Sequence, residues 1–166
     1  MPLNQSFSAE LEQESANTKK MLERVPEEHF SWKPHEKSYT LGVLATHIAE
    51  LPSWVGYTVK ADELDFGSMD YKSPVINSSS DLMKLFEENL AQAKEDLKEV
   101  SDEDIMKNWS LRNKEQLYFT MPKVVVLRSM VMNHIIHHRA QLGVYLRLLD
   151  VPVPGMYGPT ADDKQM

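Results

Sequence analysis

Apolar side chains recur every three or four residues along the last long stretch of the chain, residues 123–149. At about 100° per residue these positions fall on one stripe of a helix, so the pattern predicts a continuous α-helix whose stripe faces the core. Histidine occupies two of the positions, which places two imidazoles on the predicted inner face. The positions of the stripe are Val124, Leu127, Val131, His134, His138, Leu142, Tyr145 and Leu149.

Three further stretches show the same helical periodicity. The first covers residues 4–24, the second carries its apolar stripe from Leu41 to Val55, and the third covers residues 81–100. Pro52 should kink the second helix, because proline removes a backbone donor from a helix interior. Four amphipathic helices with one apolar stripe each predict an all-α protein with a four-helix bundle.

Between and after these helices the chain is irregular. Residues 26–34 form a loop-rich connector with two prolines, residues 66–80 form a crossing loop, and the proline- and glycine-rich tail after Asp150 should pack along the bundle. Residues 109–119 allow a small hairpin, because two short apolar segments flank a polar turn. The length of the chain predicts one domain that spans residues 1–166.

Composition narrows the possible functions. The absence of cysteine excludes a disulfide scaffold, a thiolate zinc site and a cysteine nucleophile. A net charge of −7 and the lack of a basic cluster argue against nucleic-acid binding. No apolar run approaches the ~20 residues of a membrane-spanning helix, and residues 1–5 lack the basic and apolar parts of a signal peptide. We therefore expect a cytoplasmic protein with no membrane or nucleic-acid partner, in which His, Asp or Glu would hold any metal.

His134 and His138 are the first candidates for chemistry. Side chains four residues apart on a helix are neighbours, with Cβ atoms about 5–6 Å apart, so two imidazoles can bind one metal ion at about 2.0–2.1 Å. The alternative is that both are ordinary packed, hydrogen-bonded histidines. A metal site needs a third ligand. His47 lies on the rim of the apolar face of the second helix, where it could reach a neighbouring helix or simply be partly buried. Three protein ligands would leave a position open for water or substrate, as in catalytic zinc sites.

Several polar or aromatic residues lie close to the predicted inner faces. Glu14 is on the inner face of the first helix, and we expect its side chain to reach solvent rather than a metal ion in the bundle. His137 is about 100° from the stripe centre and is expected at the helix flank rather than as a ligand. Arg139 also points away from the stripe centre and could hold a carboxylate or form a salt bridge with a neighbouring helix. Gln141 could donate a hydrogen bond to a ligand imidazole. For Trp54, core packing is favoured over lining a pocket.

Three segments of the sequence resemble one protein family. They are residues 25–34, residues 41–50 around His47, and residues 133–142, which contain the pattern His-x-x-x-His-Arg-x-Gln. On these segments the chain is similar to the DinB-like superfamily of damage-inducible bundle proteins, which includes bacillithiol-dependent transferases and mycothiol-dependent isomerases. The similarity extends over nearly the whole chain, including the end of the tail. Ala140 stands where many members have glycine.

The resemblance implies a bundle with an up-down-down-up arrangement that is often a homodimer. It also implies a divalent metal ion (zinc, nickel or iron) bound by His47, His134 and His138. A carboxylate ligand from Glu14 would favour iron or manganese. The activity expected at such a site is transfer of a low-molecular-weight thiol to an electrophilic substrate. Two alternatives stay open: a hydrolase that uses metal-bound water, and a stress-induced binding module without enzymatic activity.

Overall fold

Helices form at the four stretches of helical periodicity in the computed structural model, which describes residues 1–163. Both α1 and α2 pack against α4 and α7, so the long helices enclose the core. Within the described residues, no helix is long and apolar enough to cross a membrane. In chain order the elements are α1 (Leu3–Leu22), α2 (Leu41–Glu50), α3 (Trp54–Val59), β1 (Glu63–Asp65), α4 (Ser79–Glu99), α5 (Asp102–Ile105), β2 (Asn108–Asn113), β3 (Gln116–Pro122), α6 (Lys123–Val126) and α7 (Asn133–Leu148).

The core between the long helices consists of two clusters of buried apolar side chains, and Leu90 of α4 packs against both. Leu11 of α1 belongs to one cluster, and Leu44 of α2 belongs to the other. The proline- and glycine-rich tail lies against the second cluster through Val153 and Met156. The tail therefore packs along the helices, as its sequence predicts.

The second helical stretch is built in two parts. The hydroxyl of Thr40 accepts a hydrogen bond from the Val43 amide at 3.3 Å and caps the start of α2. Pro52 lies in a 3₁₀ turn, Leu51–Ser53, which separates α2 from α3. The helix is therefore interrupted at the proline, as the sequence predicts, and the last turn of α2 ends directly before the 3₁₀ turn.

A three-stranded sheet corrects the prediction of an all-α protein. β2 and β3 form the antiparallel hairpin that residues 109–119 allow, and β1 adds to β2 as a parallel strand. The sheet has its own small core, in which Trp109 is fully buried and donates a hydrogen bond from its indole to the carbonyl of Tyr57 at 3.0 Å. The sequence did not predict β1, because a strand of three residues is too short to show an alternating pattern of apolar and polar side chains.

The last long helical stretch is not one continuous α-helix, which corrects the prediction for residues 123–149. Between α6 and α7 the chain forms a π-helical segment, Leu127–Met132, whose hydrogen bonds span five residues instead of four. The wider turn shifts the buried stripe of α7 by about one residue, to Ile135, Leu142 and Leu146. The histidines of the predicted stripe are consequently half-buried rather than at the centre of the core.

Candidate metal centre

Two packed helices bring the three predicted histidines together. His47 lies in the last turn of α2, and His134 and His138 lie in the first turns of α7. The i, i+4 spacing puts the two α7 rings on one helix face, and the contact between α2 and α7 places the third ring opposite them. All three side chains are half-buried, so the cluster lies at the edge of the helical core with access to solvent.

The distances between the rings match a shared metal ion. One ligand nitrogen from each of the three side chains lies within 4.8 Å of the others. The Nε2 atom of His134 is 3.4 Å from that of His47 and 2.8 Å from that of His138. Two nitrogens that each lie about 2.0–2.1 Å from one ion are separated by about 2.8–3.4 Å when the angle at the metal is about 90–109°. Both distances to the His134 nitrogen therefore suit a single divalent cation, and the remaining pair of ligand nitrogens lies within 4.8 Å.

The hydrogen bonds of the Nδ1 atoms of His134 and His138 determine which nitrogen of each ring is free to bind a cation. The Nδ1 atom of His138 is 2.7 Å from the amide oxygen of Gln141, and that of His134 is 3.4 Å from the carbonyl oxygen of Met130. Because both partners are acceptors, each Nδ1 carries the hydrogen, and each Nε2 presents a lone pair. Two lone pairs at 2.8 Å repel one another unless a cation lies between them. Gln141 accepts this hydrogen bond, which corrects the expectation that it donates.

The protonation of the triad also fits metal binding. Burial, followed by repulsion from the His138 and His134 rings, lowers the pKa of His47 to about 4. Burial is also the main reason that the pKa of His134 and that of His138 are lowered from their ordinary value. All three rings are therefore neutral at pH 7, which is the form in which imidazole binds a metal. The donor set fits a divalent ion held by three neutral imidazoles.

Glu14 takes a position that differs from both sequence-based interpretations. Its side chain neither reaches solvent nor joins the triad, because it is 8% exposed and pairs with Arg139. The Nη2 atom of Arg139 donates to Glu14 Oε2 at 2.6 Å, and Nη1 donates to the Glu14 backbone carbonyl at 2.8 Å. The hydroxyl of Tyr157 in the tail also donates to Glu14 Oε2, at 2.6 Å. In the sequence, Tyr157 belongs to the tail segment that resembles the family's ending, but its contact with Glu14 was not predicted.

Of the remaining candidates, Arg139 is buried instead of pointing away from the buried stripe, whereas the others lie where the sequence predicts. His137 is exposed beside the triad and is not part of it. Arg139 holds a carboxylate on a neighbouring helix, which confirms one of the roles predicted for it. Trp54 is half-buried and fulfils both roles that the sequence allowed: it packs against the core, and it borders a surface cavity. His47 borders that cavity as well.

Removing the amide of Gln141 should weaken metal binding without unfolding the protein. The Gln141→Leu substitution deletes the acceptor that orients the His138 ring, and loss of such an outer partner costs about 10–100-fold in metal affinity. The affinity can be measured by competition with a coloured chelator at pH 7. Gln13→Leu, at an exposed position of α1, is the matched control and should bind metal like the wild type. Equal affinities for the two variants would show that Gln141 does not orient the ring.

Comparison with known proteins gives a family match and structural matches. The sequence model of the DinB family matches residues 1–165. A DinB-like protein from Bacillus cereus ATCC 10987 is 27% identical, with 92% of this chain and 97% of that protein covered and a TM-score of 0.71. The DinB-like protein YjoA from Bacillus subtilis shares the fold at 20% identity, with 89% and 96% covered and a TM-score of 0.70. None of the curated proteins matches the chain. The chain belongs to the DinB family.

Proposed function

We propose that the protein is a metal-dependent enzyme that transfers a low-molecular-weight thiol to an electrophilic substrate. The observation that carries the proposal is the convergence of ligand nitrogens of His47, His134 and His138 within 4.8 Å of one another, with two Nε2–Nε2 distances that suit one divalent ion. Such an ion, when bound, lowers the pKa of a thiol that coordinates it and so supplies a thiolate at neutral pH. In the reaction a carbon–sulfur bond forms, the bond from carbon to the leaving group breaks, and the thiol proton passes to solvent.

The chain contributes the ligands and their orientation. Three protein ligands leave room for a further ligand, which distinguishes catalytic sites from structural zinc sites that are closed by four. Gln141 and the Met130 carbonyl orient two of the rings. The chain has no cysteine of its own, so the sulfur nucleophile has to come from a cosubstrate.

The metal that we propose is zinc, nickel or iron. Three neutral imidazoles suit each of these ions, and the order of affinities alone does not choose among them. Because Glu14 is paired with Arg139, the carboxylate that would have favoured iron or manganese is directed elsewhere. The up-down-down-up order of the helices and the homodimer remain predictions, which a crystal structure and light scattering, respectively, would test.

Conjugation of a thiol to 1-chloro-2,4-dinitrobenzene tests the proposed activity. We expect zinc-, nickel- or iron-loaded protein to accelerate the reaction of cysteine, bacillithiol, mycothiol or glutathione with this electrophile, and chelation to remove the acceleration. The exposed His137 provides the control, because His137→Ala should retain the activity. The absence of metal-dependent conjugation with every one of these thiols would refute the transferase.

Two other results would assign a different function to the same site. Hydrolysis of an ester or amide substrate without added thiol, dependent on the metal, would indicate an enzyme that uses metal-bound water. A non-enzymatic binding module predicts instead that His47→Ala lowers the melting temperature of the metal-loaded protein while neither reaction is found.

A further inference from the structure

A cavity of about 460 Å³ opens beside His47 where the helical part of the chain meets the small sheet. α3 contributes Trp54 and Tyr57 to its wall, β1 contributes Leu64, and the loop that follows contributes Phe66. The cavity thus exists because the strand and its loop stand against α3. It has no counterpart in the all-helical fold that the sequence predicts.

The wall of this cavity, here called the aromatic cavity, is largely a set of ring surfaces. The Trp54 ring lies edge-to-face with Tyr57 at 6.3 Å and with Phe66 at 6.2 Å between centroids. Phe66 and Tyr57 nevertheless remain 42% and 38% exposed. Aromatic faces left open on a rigid frame gain free energy when a flat apolar group covers them.

The charge of the wall disfavours anionic ligands. Within residues 1–163, no lysine or arginine borders the aromatic cavity, and its one carboxylate is that of Glu50. The Tyr71 hydroxyl donates a hydrogen bond to Glu50 Oε1 at 2.7 Å, and burial raises the pKa of this carboxyl. An anionic group would be repelled by the carboxylate. An uncharged apolar group avoids this repulsion and covers the open ring faces.

A second cavity, of about 480 Å³, lies on the other side of the same residues. His47, Glu50 and Tyr71 border both cavities, so they form the boundary between them. The second cavity carries the hydroxyl groups of Ser31, Tyr39, Thr40, Thr46 and Ser73 and is here called the hydroxyl cavity. The two spaces therefore differ in chemistry and share one metal-ligand candidate.

We infer that the aromatic cavity binds the uncharged, apolar part of the electrophilic substrate, while the hydroxyl cavity receives the polar thiol. This assignment rests on the proposed transferase function and divides its two substrates between two spaces. His47 borders both, so groups bound in the two cavities approach one another beside the triad. The substrate class that follows is an electrophile with an aromatic or similarly flat hydrocarbon body.

Binding of an uncharged aromatic probe tests the assignment without turnover. The probe is 4-nitrobenzyl alcohol, which quenches tryptophan fluorescence and should quench Trp54 in the cavity wall. We expect Phe66→Ala to raise the dissociation constant about five- to tenfold, because it removes one of the ring surfaces. Tyr118→Ala is the matched control, since Tyr118 is a similarly exposed aromatic residue, 47% exposed, that does not border the cavity. Its dissociation constant should equal that of the wild type.

Two binding results would overturn the assignment. Equal dissociation constants for Phe66→Ala and Tyr118→Ala would show that the probe does not bind at this wall. Tighter binding of benzyltrimethylammonium than of 4-nitrobenzyl alcohol would show that the rings form a cage for a cation instead. Both measurements use metal-free and metal-loaded protein, so they remain decisive if no transferase activity is found.

Kinetics of the loaded enzyme test the division of the two substrates. We expect Phe66→Ala to raise the KM for 1-chloro-2,4-dinitrobenzene and to leave the KM for the thiol unchanged. A raised KM for the thiol alone would contradict the proposed division. Loss of conjugation by the wild type together with retained, Phe66-dependent binding of 4-nitrobenzyl alcohol would refute the transferase and keep the aromatic cavity as a binding site.

Discussion

His138→Ala should lower the affinity for zinc more than about 100-fold, beyond the about 10–100-fold that loss of an outer hydrogen-bond partner costs. The His138 ring contributes one of the three converging nitrogens, and its Nε2 lies 2.8 Å from that of His134. Two remaining imidazoles would hold the ion with a larger share of water ligands. The measurement is elemental analysis after dialysis, combined with competition against a chelator.

His137→Ala is the control for this experiment, because it deletes the neighbouring imidazole on the same turn. His137 is exposed and lies outside the triad, although its ring centroid is only 4.8 Å from that of His138. We expect this variant to bind one equivalent of zinc with unchanged affinity. Retention of zinc by His138→Ala, or its loss from His137→Ala, would mean that the ion is bound elsewhere or by other ligands.

Arg139→Leu should destabilise the protein by about 3–5 kcal/mol, the cost of leaving one partner of a buried ion pair alone. The side chains of Arg139 and Glu14 are 3% and 8% exposed, so water cannot replace the lost guanidinium. Glu14 would keep the Tyr157 hydroxyl as a side-chain donor, and Thr18 Oγ1 would lose the donor that Arg139 supplies at 3.1 Å. Urea denaturation of the metal-free protein measures the change in the free energy of unfolding.

Two further variants test whether the stability lost in Arg139→Leu comes from the burial of an unpaired charge or from the loss of an ion pair as such. Lys19→Met breaks an ion pair between the exposed side chains of Lys19 (47% exposed) and Glu87 (55% exposed), and it should lower the stability far less than Arg139→Leu does. The double variant Glu14→Leu/Arg139→Leu removes both buried charges and should recover much of the stability that Arg139→Leu loses. A loss for Arg139→Leu no greater than that for Lys19→Met would show that the buried pair contributes little.

The elements that periodicity could predict are the long helices, because a repeat of three and four residues over many turns is a strong local signal. The i, i+4 spacing of His134 and His138 is a signal of the same kind, and it placed two rings correctly on one face. His47 was found because it lies at the rim of a clear apolar stripe. Its distance from the other two rings depends on how α2 packs against α7, which a single sequence does not encode locally.

The features that the sequence did not reveal depend on contacts between distant segments. Glu14 was expected in solvent because nothing near it in sequence can pair with it, whereas Arg139 lies 125 residues later. β1 is held by β2, which is distant in the chain, and not by a pattern of its own. The π-helical segment was missed because its residues continue the apolar repeat of their neighbours while their backbone takes a wider turn.

The π-helical segment Leu127–Met132 contains one residue more than ordinary α-helical turns would need to join α6 to α7 in the same register. If the segment took ordinary α-helical turns and kept all its residues, everything on its C-terminal side would rotate by about 100° about the helix axis. His134 and His138 would then turn away from His47 together, while Arg139 would leave Glu14. Loss of one residue from the segment would compensate for that rotation, because ordinary turns with one residue fewer keep the flanking helices in the same register. A relative with a regular α-helix and one residue fewer at this point could therefore gather the same three imidazoles.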